Sequence, residues 1–152
     1  MSANKSRTLN TLRIPVEHIP VTLMLFDGTS FEAVMFVPFG ETILRFFDAG
    51  PRFLPVRRND KICFVSRAEL ACLTVPISTT AQGDGDLPVV FQDVAVKLRS
   101  GLQLEGKVRW VAPIGYQRTV DHLNAEAPYL ELRSPSLTHY IAKAQIVTVD
   151  ER

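Results

Sequence analysis

The residues of this chain that could carry chemistry are few, and they lie far apart in the sequence. Its three histidines are His18, His122 and His139, and no cysteine or histidine lies near any of them at the spacing of a metal site. The two cysteines, Cys63 and Cys72, are too few for a disulfide framework. We interpret them as buried free thiols, with a redox pair as the alternative. We therefore predict no metal site and no cofactor.

Nucleophilic catalysis and phosphate binding are not indicated either. Ser66 and Ser100 lie in predicted hairpin turns, without the histidine and acid of a catalytic triad. The stretch Gly83-Asp84-Gly85 lacks the Gly-Lys-Ser/Thr that completes a phosphate-binding loop. The sequence therefore predicts no catalytic residues and a protein that is not an enzyme.

Composition and charge exclude several other classes. The chain has 152 residues, of which 46% are hydrophobic and 22% charged, so it can form one packed domain or two very small ones. Its 17 basic and 16 acidic residues give a formal net charge of +1, which provides no overall attraction to nucleic acid. The sequence has no apolar run long enough to cross a bilayer and no secretory signal pattern. We expect a soluble, cytoplasmic protein that does not bind membranes.

Two stretches of the chain resemble each other. At a shift of 73 residues, Val21–Gly28 aligns with Val94–Gly101, and at a shift of 76, Phe64–Ala71 aligns with Tyr140–Val147. Apolar residues align with apolar residues, which predicts two tandem copies of one supersecondary unit. The predicted organisation is an N-terminal segment (1–20), a first copy (21–75), a linker with a lead-in (76–93) and a second copy (94–149).

Each copy opens with a predicted β-hairpin. In the second copy, apolar and charged residues alternate on both sides of a turn at 100–102, and a period of two is typical of half-buried strands. A three-residue loop at that turn would place Lys97 opposite Glu105. A short helical segment, a short strand and a final hairpin follow in each copy. The helical segments are predicted at Glu41–Asp48 and Arg118–Asn124.

The first hairpin is apolar on both of its faces. The outer face carries Met24, Phe26, Val34 and Phe36. A strand pair that is apolar on both sides is usually covered on both sides. We therefore predict that these four residues form an interaction surface, buried against the N-terminal segment, the other copy or a second chain.

The order of these signals resembles that of the Sm-like family of small β-barrels. In that family, an aromatic-aliphatic strand leads through a basic residue into a further apolar strand, and Phe64–Leu70 and Tyr140–Ile146 match this motif. The resemblance implies a mostly β fold of two tandem Sm-like five-stranded small barrels, each with a short helical turn. It also implies that such barrels associate edge to edge, often in rings, and often bind RNA.

Arg67 and Lys143 occupy the basic position of this motif, each at a turn between two strands, and are therefore the candidate nucleic-acid contacts. The aspartate and asparagine that hold a base in that family are missing from the corresponding stretches, 38–41 and 113–116. We therefore predict an interaction or adaptor protein, or an assembly subunit, and do not favour RNA as a partner. An Sm-like RNA-binding regulator is the alternative. The expected partners are further copies of the chain, in a homo-oligomer, and an unidentified protein.

Overall fold

Ten β-strands and two short helices make up the described part of the chain. The computed structural model describes residues 15–77, 89–112, 115 and 118–152, with only the backbone of Phe46. The first half contains β1 (Val16–Leu25), β2 (Ser30–Pro38), α1 (Ile43–Ala49), β3 (Phe53–Arg58), β4 (Lys61–Ser66) and β5 (Leu70–Pro76). The second contains β6 (Val89–Leu98), β7 (Gln103–Val111), α2 (Thr119–Leu123), β8 (Tyr129–Arg133), β9 (Leu137–Ala142) and β10 (Ile146–Glu151). The prediction of a mostly β fold is confirmed.

All ten strands belong to one antiparallel sheet. Their order across the sheet is β10-β6-β7-β8-β9-β5-β1-β2-β3-β4. Within this order, β5-β1-β2-β3-β4 and β10-β6-β7-β8-β9 are two groups of five with the same internal arrangement. The two groups are continuous, because β5 of the first pairs with β9 of the second.

Corresponding elements of the two halves start at constant spacings. β6 and β7 start 73 residues after β1 and β2, and β8, β9 and β10 start 76 residues after β3, β4 and β5. Short 3₁₀ turns at Arg67–Glu69 and Lys143–Gln145 precede β5 and β10 and are also 76 residues apart. Residues related by these shifts occupy equivalent places in the sheet, and we call them counterparts.

Both halves begin earlier than the sequence predicted. β1 starts at Val16 instead of residue 21, and β6 starts at Val89 instead of residue 94. Pro20 lies inside β1 because β1 pairs with β5 only from Thr22 onward, and a proline is tolerated where one edge of a strand has no neighbour. Residues 1–14 of the predicted N-terminal segment and residues 78–88 of the predicted linker lie outside the described residues.

The register of the β6–β7 hairpin differs from the predicted one. A backbone hydrogen bond from the Leu98 amide to the Leu102 carbonyl closes the turn one residue earlier than expected. This shift moves the pairing by two residues, so that Lys97 lies opposite Gln103 and the predicted pairing with Glu105 is wrong. The acidic partner found in the hairpin is Asp93, whose carboxylate lies 3.8 Å from the Lys107 ammonium.

Both short helices form within the predicted segments or one residue beyond them. Thr42 caps α1, because its hydroxyl accepts a hydrogen bond from the Arg45 amide at 3.1 Å. Arg118 precedes α2, and the Asp121 carboxylate accepts a hydrogen bond from the Arg118 amide at 3.2 Å. These caps matter because isolated helices of one or two turns are marginal in water.

Alternate side chains of the strands point inward and form two apolar clusters. The first is formed mainly by the first half, around Leu23, Met35 and Leu73, and the second mainly by the second half, around Val96, Leu130 and Leu132. Trp110 belongs to the second cluster and stacks on His122, with ring centroids 4.8 Å apart. The sheet therefore has two cores that meet near the pairing of β5 and β9.

One residue of β7 has no room for a side chain, which gives a first prediction. A Cβ on Gly106 would lie 2.4 Å from the carbonyl oxygen of Arg133 in β8. We expect Gly106→Ala to push these strands apart and lower the free energy of unfolding by roughly 1–3 kcal/mol, as overpacking typically does. Urea unfolding measures this, with Gln103→Ala on the exposed part of the same strand as the control. Equal stability of the two variants would show that β7 and β8 are not this close.

Candidate functional site

The pairing of β5 with β9 joins the two halves of the molecule, and we call it the junction. Its register runs from Cys72 opposite Ile141 to Pro76 opposite Leu137. Each strand is thereby supplied with backbone partners along an edge that would otherwise carry unpaired amide and carbonyl groups. The junction is therefore the addition of one strand edge to another.

A partly buried polar pair lies at the middle of the junction. Thr74 is opposite His139, with 2.7 Å between the threonine Oγ1 and the histidine Nδ1. His139 is 8% exposed, and burial lowers the pKa of its imidazole. The neutral ring is thus favoured beside the hydroxyl, and the pair adds a side-chain contact between the two strands.

Aromatic side chains from the second half complete the core of the first. Tyr129 packs on Phe47 of α1, with ring centroids 4.4 Å apart, and its hydroxyl donates a hydrogen bond to the Phe47 carbonyl at 3.4 Å. The Tyr140 ring lies 6.4 Å from the same phenylalanine. In the other direction, the first half contributes Met24, Ala71 and Cys72 to the second cluster. The junction therefore combines backbone pairing with shared core packing.

The two cysteines differ in their surroundings. Both are free thiols, Cys72 buried in the second cluster and Cys63 half-exposed on β4. Burial raises the pKa of the Cys72 thiol to about 11, which makes it a poor nucleophile near neutral pH. The more accessible thiol is that of Cys63.

β4 and β10 are the two ends of the sheet, and we call their outer sides the open edges. Several large apolar side chains on or beside these strands are more than half exposed. They are Phe53 (55%), Ile62 (53%), Phe64 (68%) and Val147 (55%). An exposed edge strand with apolar side chains is a site at which another strand adds readily.

These exposed side chains are the counterparts of residues at the junction. Phe53 and Phe64 correspond to the two tyrosines that pack on Phe47. Ile62 corresponds to Thr138, which is 5% exposed, and Val147 corresponds to Ala71, which is fully buried. The positions that the junction covers inside the chain are thus the ones that stand exposed at the open edges.

The two basic residues predicted to contact nucleic acid both bind the end of a helix. The Arg67 guanidinium donates hydrogen bonds to the carbonyls of Phe47 at 2.7 Å, Asp48 at 3.1 Å and Pro51 at 3.3 Å. The Lys143 ammonium donates to the carbonyls of His122 at 3.4 Å and Ala125 at 3.0 Å. A cation at a helix C-terminus satisfies carbonyls that have no partner within the helix. Arg67 and Lys143 therefore have the same structural role in the two halves.

The four residues of the predicted interaction surface differ in how far they are buried and in what they contact. Met24 is buried, at 9% exposed, among residues of the second cluster. Phe36 is half-buried between the ring of His18, at 5.0 Å, and the guanidinium of Arg57, at 5.8 Å. Val34 is half-buried, and Phe26 is 36% exposed. Of the four, Met24 belongs to the cluster formed mainly by the second half.

A cleft of about 520 Å³ lies at one end of the junction. Its lining includes Ile19, Ile77, Glu131, Arg133 and Tyr140. Burial raises the pKa of the Tyr140 hydroxyl to about 12, with the Glu131 carboxylate as a second cause, so the phenol stays protonated. The cleft holds a mixture of apolar and charged groups without a recognisable catalytic set among the described residues.

Sequence reasoning did not identify the junction residues. The sequence does contain a signal for these residues. Aromatic residues occupy matching positions in the two copies, Phe53 with Tyr129 and Phe64 with Tyr140. Aromatic residues at equivalent places can equally be core residues, and only the strand order distinguishes a covered position from an exposed one.

Three comparisons with known proteins assign neither a family nor a function to the chain. No family model, no curated protein and no solved structure matches the chain. The described residues contain no group of three or more His, Cys, Asp or Glu side chains that could hold a metal ion. None of the helices described is long and apolar enough to cross a membrane.

The role of Arg67 gives a second prediction. We expect Arg67→Met to lower the free energy of unfolding by roughly 1–3 kcal/mol, because it removes charge-assisted hydrogen bonds to three carbonyls at the end of α1. Arg52→Met is the matched control, since Arg52 is exposed and its side chain makes no hydrogen bond among the described residues. Thermal or urea unfolding compares the two. A variant at Arg67 that is as stable as the control would contradict the capping role.

Proposed function

We propose that this protein is a non-enzymatic assembly subunit that joins other chains through its open edges. The observation that carries the proposal is the junction itself, in which one half of the chain is extended by the edge of the other. The chain leaves two more edges of the same kind at β4 and β10. Because strand addition already joins the two halves of one chain, the same kind of pairing can join the chain to a neighbouring molecule.

We infer that the chain consists of two tandem Sm-like five-stranded small barrels, each with a short helical turn. Three features support this duplication: the shared strand order, the constant spacing of the elements, and the basic residue that caps the helix in each half. The units correspond to the predicted copies at 21–75 and 94–149, each with a longer first strand. In this arrangement the junction is the contact between two neighbouring units.

Burying the apolar side chains of the open edges against another chain is more favourable than leaving them exposed to water. Removing apolar surface from water stabilises a contact by about 25 cal/mol per Å². Phe53, Ile62 and Phe64 lie close together on the β3–β4 hairpin, because Phe64 is opposite Pro55 and Ile62 is opposite Arg57. Contiguous exposed apolar residues are typical of a protein-binding surface. The expected partners are further copies of this chain, with an unidentified protein partner as the adaptor form of the same function.

The alternative of an RNA-binding regulator has less support. The side-chain donors of Arg67 and Lys143 already bind carbonyls of their own chain, at the ends of α1 and α2. The net charge of +1 provides no compensating attraction. Trp110 is 7% exposed and stacked on His122, so it does not offer a base an open face.

The proposal predicts that the protein is larger than one chain in solution. Light scattering at micromolar concentration should give a mass that is a multiple of the 17.0 kDa chain. Phe64→Lys should reduce it, because a lysine there places a charge on the open edge of β4. Phe91→Lys is the matched control, since Phe91 is 59% exposed but lies on β6, away from the open edges of β4 and β10. A monomeric protein at these concentrations would contradict the proposal.

A fourth prediction concerns RNA. We expect no sequence-specific binding, and at most weak, salt-sensitive binding with a Kd above about 10 μM near physiological salt, as for non-specific contacts with phosphate. Fluorescence anisotropy with A-rich and U-rich oligonucleotides at two salt concentrations measures it. Submicromolar binding that is lost in an Arg67→Ala, Lys143→Ala double variant would favour the RNA-binding regulator. Because Arg67 also holds α1, the folding of the double variant is checked by circular dichroism.

A further inference from the structure

We propose that the cleft at the end of the junction binds a small organic anion, a carboxylic acid with an apolar body. The cleft has a volume of about 520 Å³, which is in the range of small-molecule sites. Its lining comes mainly from β1, α1 and β5 of the first half and from β7, β8 and β9 of the second. These elements are separate from the open edges of β4 and β10, so the inference is independent of the proposed assembly function.

One wall of the cleft is a row of polar side chains from the second half, which we call the polar strip. Glu131 of β8 lies opposite Tyr140 of β9. Arg133 lies opposite Thr138 on the same two strands. Directly opposite residues share one face of a sheet, and the register of β7 with β8 places Arg109 on that face as well. The strip therefore presents two guanidinium groups, a carboxylate and two hydroxyls to one cleft.

The polar strip is not repeated in the first half. The counterparts of Arg109, Glu131, Thr138 and Tyr140 are, in the same order, Phe36, Pro55, Ile62 and Phe64. A contact that serves packing alone buries apolar side chains. Polar residues at four positions whose counterparts are apolar therefore indicate that this wall faces a polar group instead of a packed core.

Two groups of the polar strip lack the hydrogen-bond partners that their burial requires. Thr138 is 5% exposed, and its hydroxyl makes no hydrogen bond within the described part of the chain. The Arg133 Nε is buried and likewise has no partner among the described residues. The rest of that guanidinium forms one loose ion pair, with Glu131 at 3.6 Å. Because a buried donor without a partner costs free energy, a ligand that accepts hydrogen bonds from these side chains is favoured.

The charges of the polar strip favour an anion. Its two arginines, Arg109 and Arg133, outnumber its one carboxylate, Glu131. The Tyr140 hydroxyl adds no negative charge, because burial and the Glu131 carboxylate raise its pKa to about 12. The other carboxylate of the lining, Glu17, is exposed on β1, where water screens it. A guanidinium pairs with a carboxylate through two parallel hydrogen bonds, so a carboxylate suits Arg133.

The other wall of the cleft is apolar and comes from the first half. It includes Ile19 of β1, Ile43 and Leu44 of α1, and Val75 and Ile77 at the end of β5. Leu44 and Ile77 are 38% and 37% exposed, so they offer apolar surface that the chain itself leaves uncovered. Burying the hydrocarbon part of a ligand against this wall removes apolar surface from water. The two walls together therefore suit a molecule with a carboxylate at one end and hydrocarbon at the other.

Octanoate is a probe with this chemistry. Octanamide has the same hydrocarbon chain without the charge, and acetate has the charge without the chain. By isothermal titration calorimetry, octanoate should bind, and each control should bind at least about tenfold more weakly, because a hydrogen bond to a charged group contributes at least that factor. Octanamide or acetate that binds as tightly as octanoate overturns the inference, and so does a protein that binds none of the three at millimolar concentration.

A variant at Arg133 tests whether the probe lies in the cleft. Arg133→Met removes the guanidinium and keeps an unbranched side chain, so it should weaken octanoate binding by at least about tenfold and leave octanamide binding unchanged. Arg57→Met is the matched control, since Arg57 is the counterpart of Arg133 and lies outside the lining of this cleft. Octanoate binding that survives Arg133→Met overturns the inference, because the probe then lies elsewhere, for example on the exposed apolar side chains of the open edges.

Thr138→Val keeps the test decisive if Arg133→Met does not fold. Valine has nearly the shape of threonine without its hydroxyl, and circular dichroism checks that the fold is retained. We expect octanoate to bind this variant roughly two- to tenfold more weakly, because one hydrogen bond to the carboxylate is lost. An affinity equal to that of the wild type overturns the assignment of the cleft. A wild-type protein that is monomeric by light scattering would contradict the assembly function and leave this inference standing.

Discussion

The backbone amides and carbonyls of every strand need hydrogen-bond partners, and at the edges of the sheet this requirement is hardest to meet within the chain. An unpaired polar group that becomes buried costs free energy comparable to a lost hydrogen bond. Inside the chain the requirement is met at the junction, where β5 and β9 complete each other. The outer sides of β4 and β10 have no partner strand among the described residues.

Packing at the junction follows from this pairing. Once the two strands are in register, Tyr129 and Tyr140 reach Phe47, and Met24 and Ala71 reach the second cluster. Removing either half would open the core of the other. This shared packing supports two units that are each close to the smallest size at which a single core is stable. The capped end of α1 keeps Phe47 in place to receive the two tyrosine rings.

Much of the fold could be predicted from the sequence, because strand periodicity and the internal similarity are local signals. The alternation around Val94, Val96 and Leu98 gave the inward face correctly, and the helical segments were found near Ile43–Ala49 and Thr119–Leu123. The register of the β6–β7 hairpin was predicted wrongly. A turn that closes one residue earlier changes every pair of opposite residues without changing the alternation of apolar and charged residues.

The candidate site was harder to predict because it depends on which strands become neighbours. Arg67 and Lys143 were predicted to be basic residues at turns that contact nucleic acid, but the carbonyls that they bind come from segments about twenty residues away. Phe53 and Phe64 gave no signal that distinguished them from core residues. Their exposure follows only from the strand order, in which β4 is the last strand.

Hydrogen exchange of the outer amides of β4 and β10 tests the central claim most directly. These are the alternate amides that point away from β3 and β6, and they have no partner strand within the described chain. At a concentration where the protein is assembled, they should exchange as slowly as the amides that pair β5 with β9, and dilution to single chains should release them selectively. Fast exchange of these amides in the assembled protein would contradict the claim that the open edges form the contact.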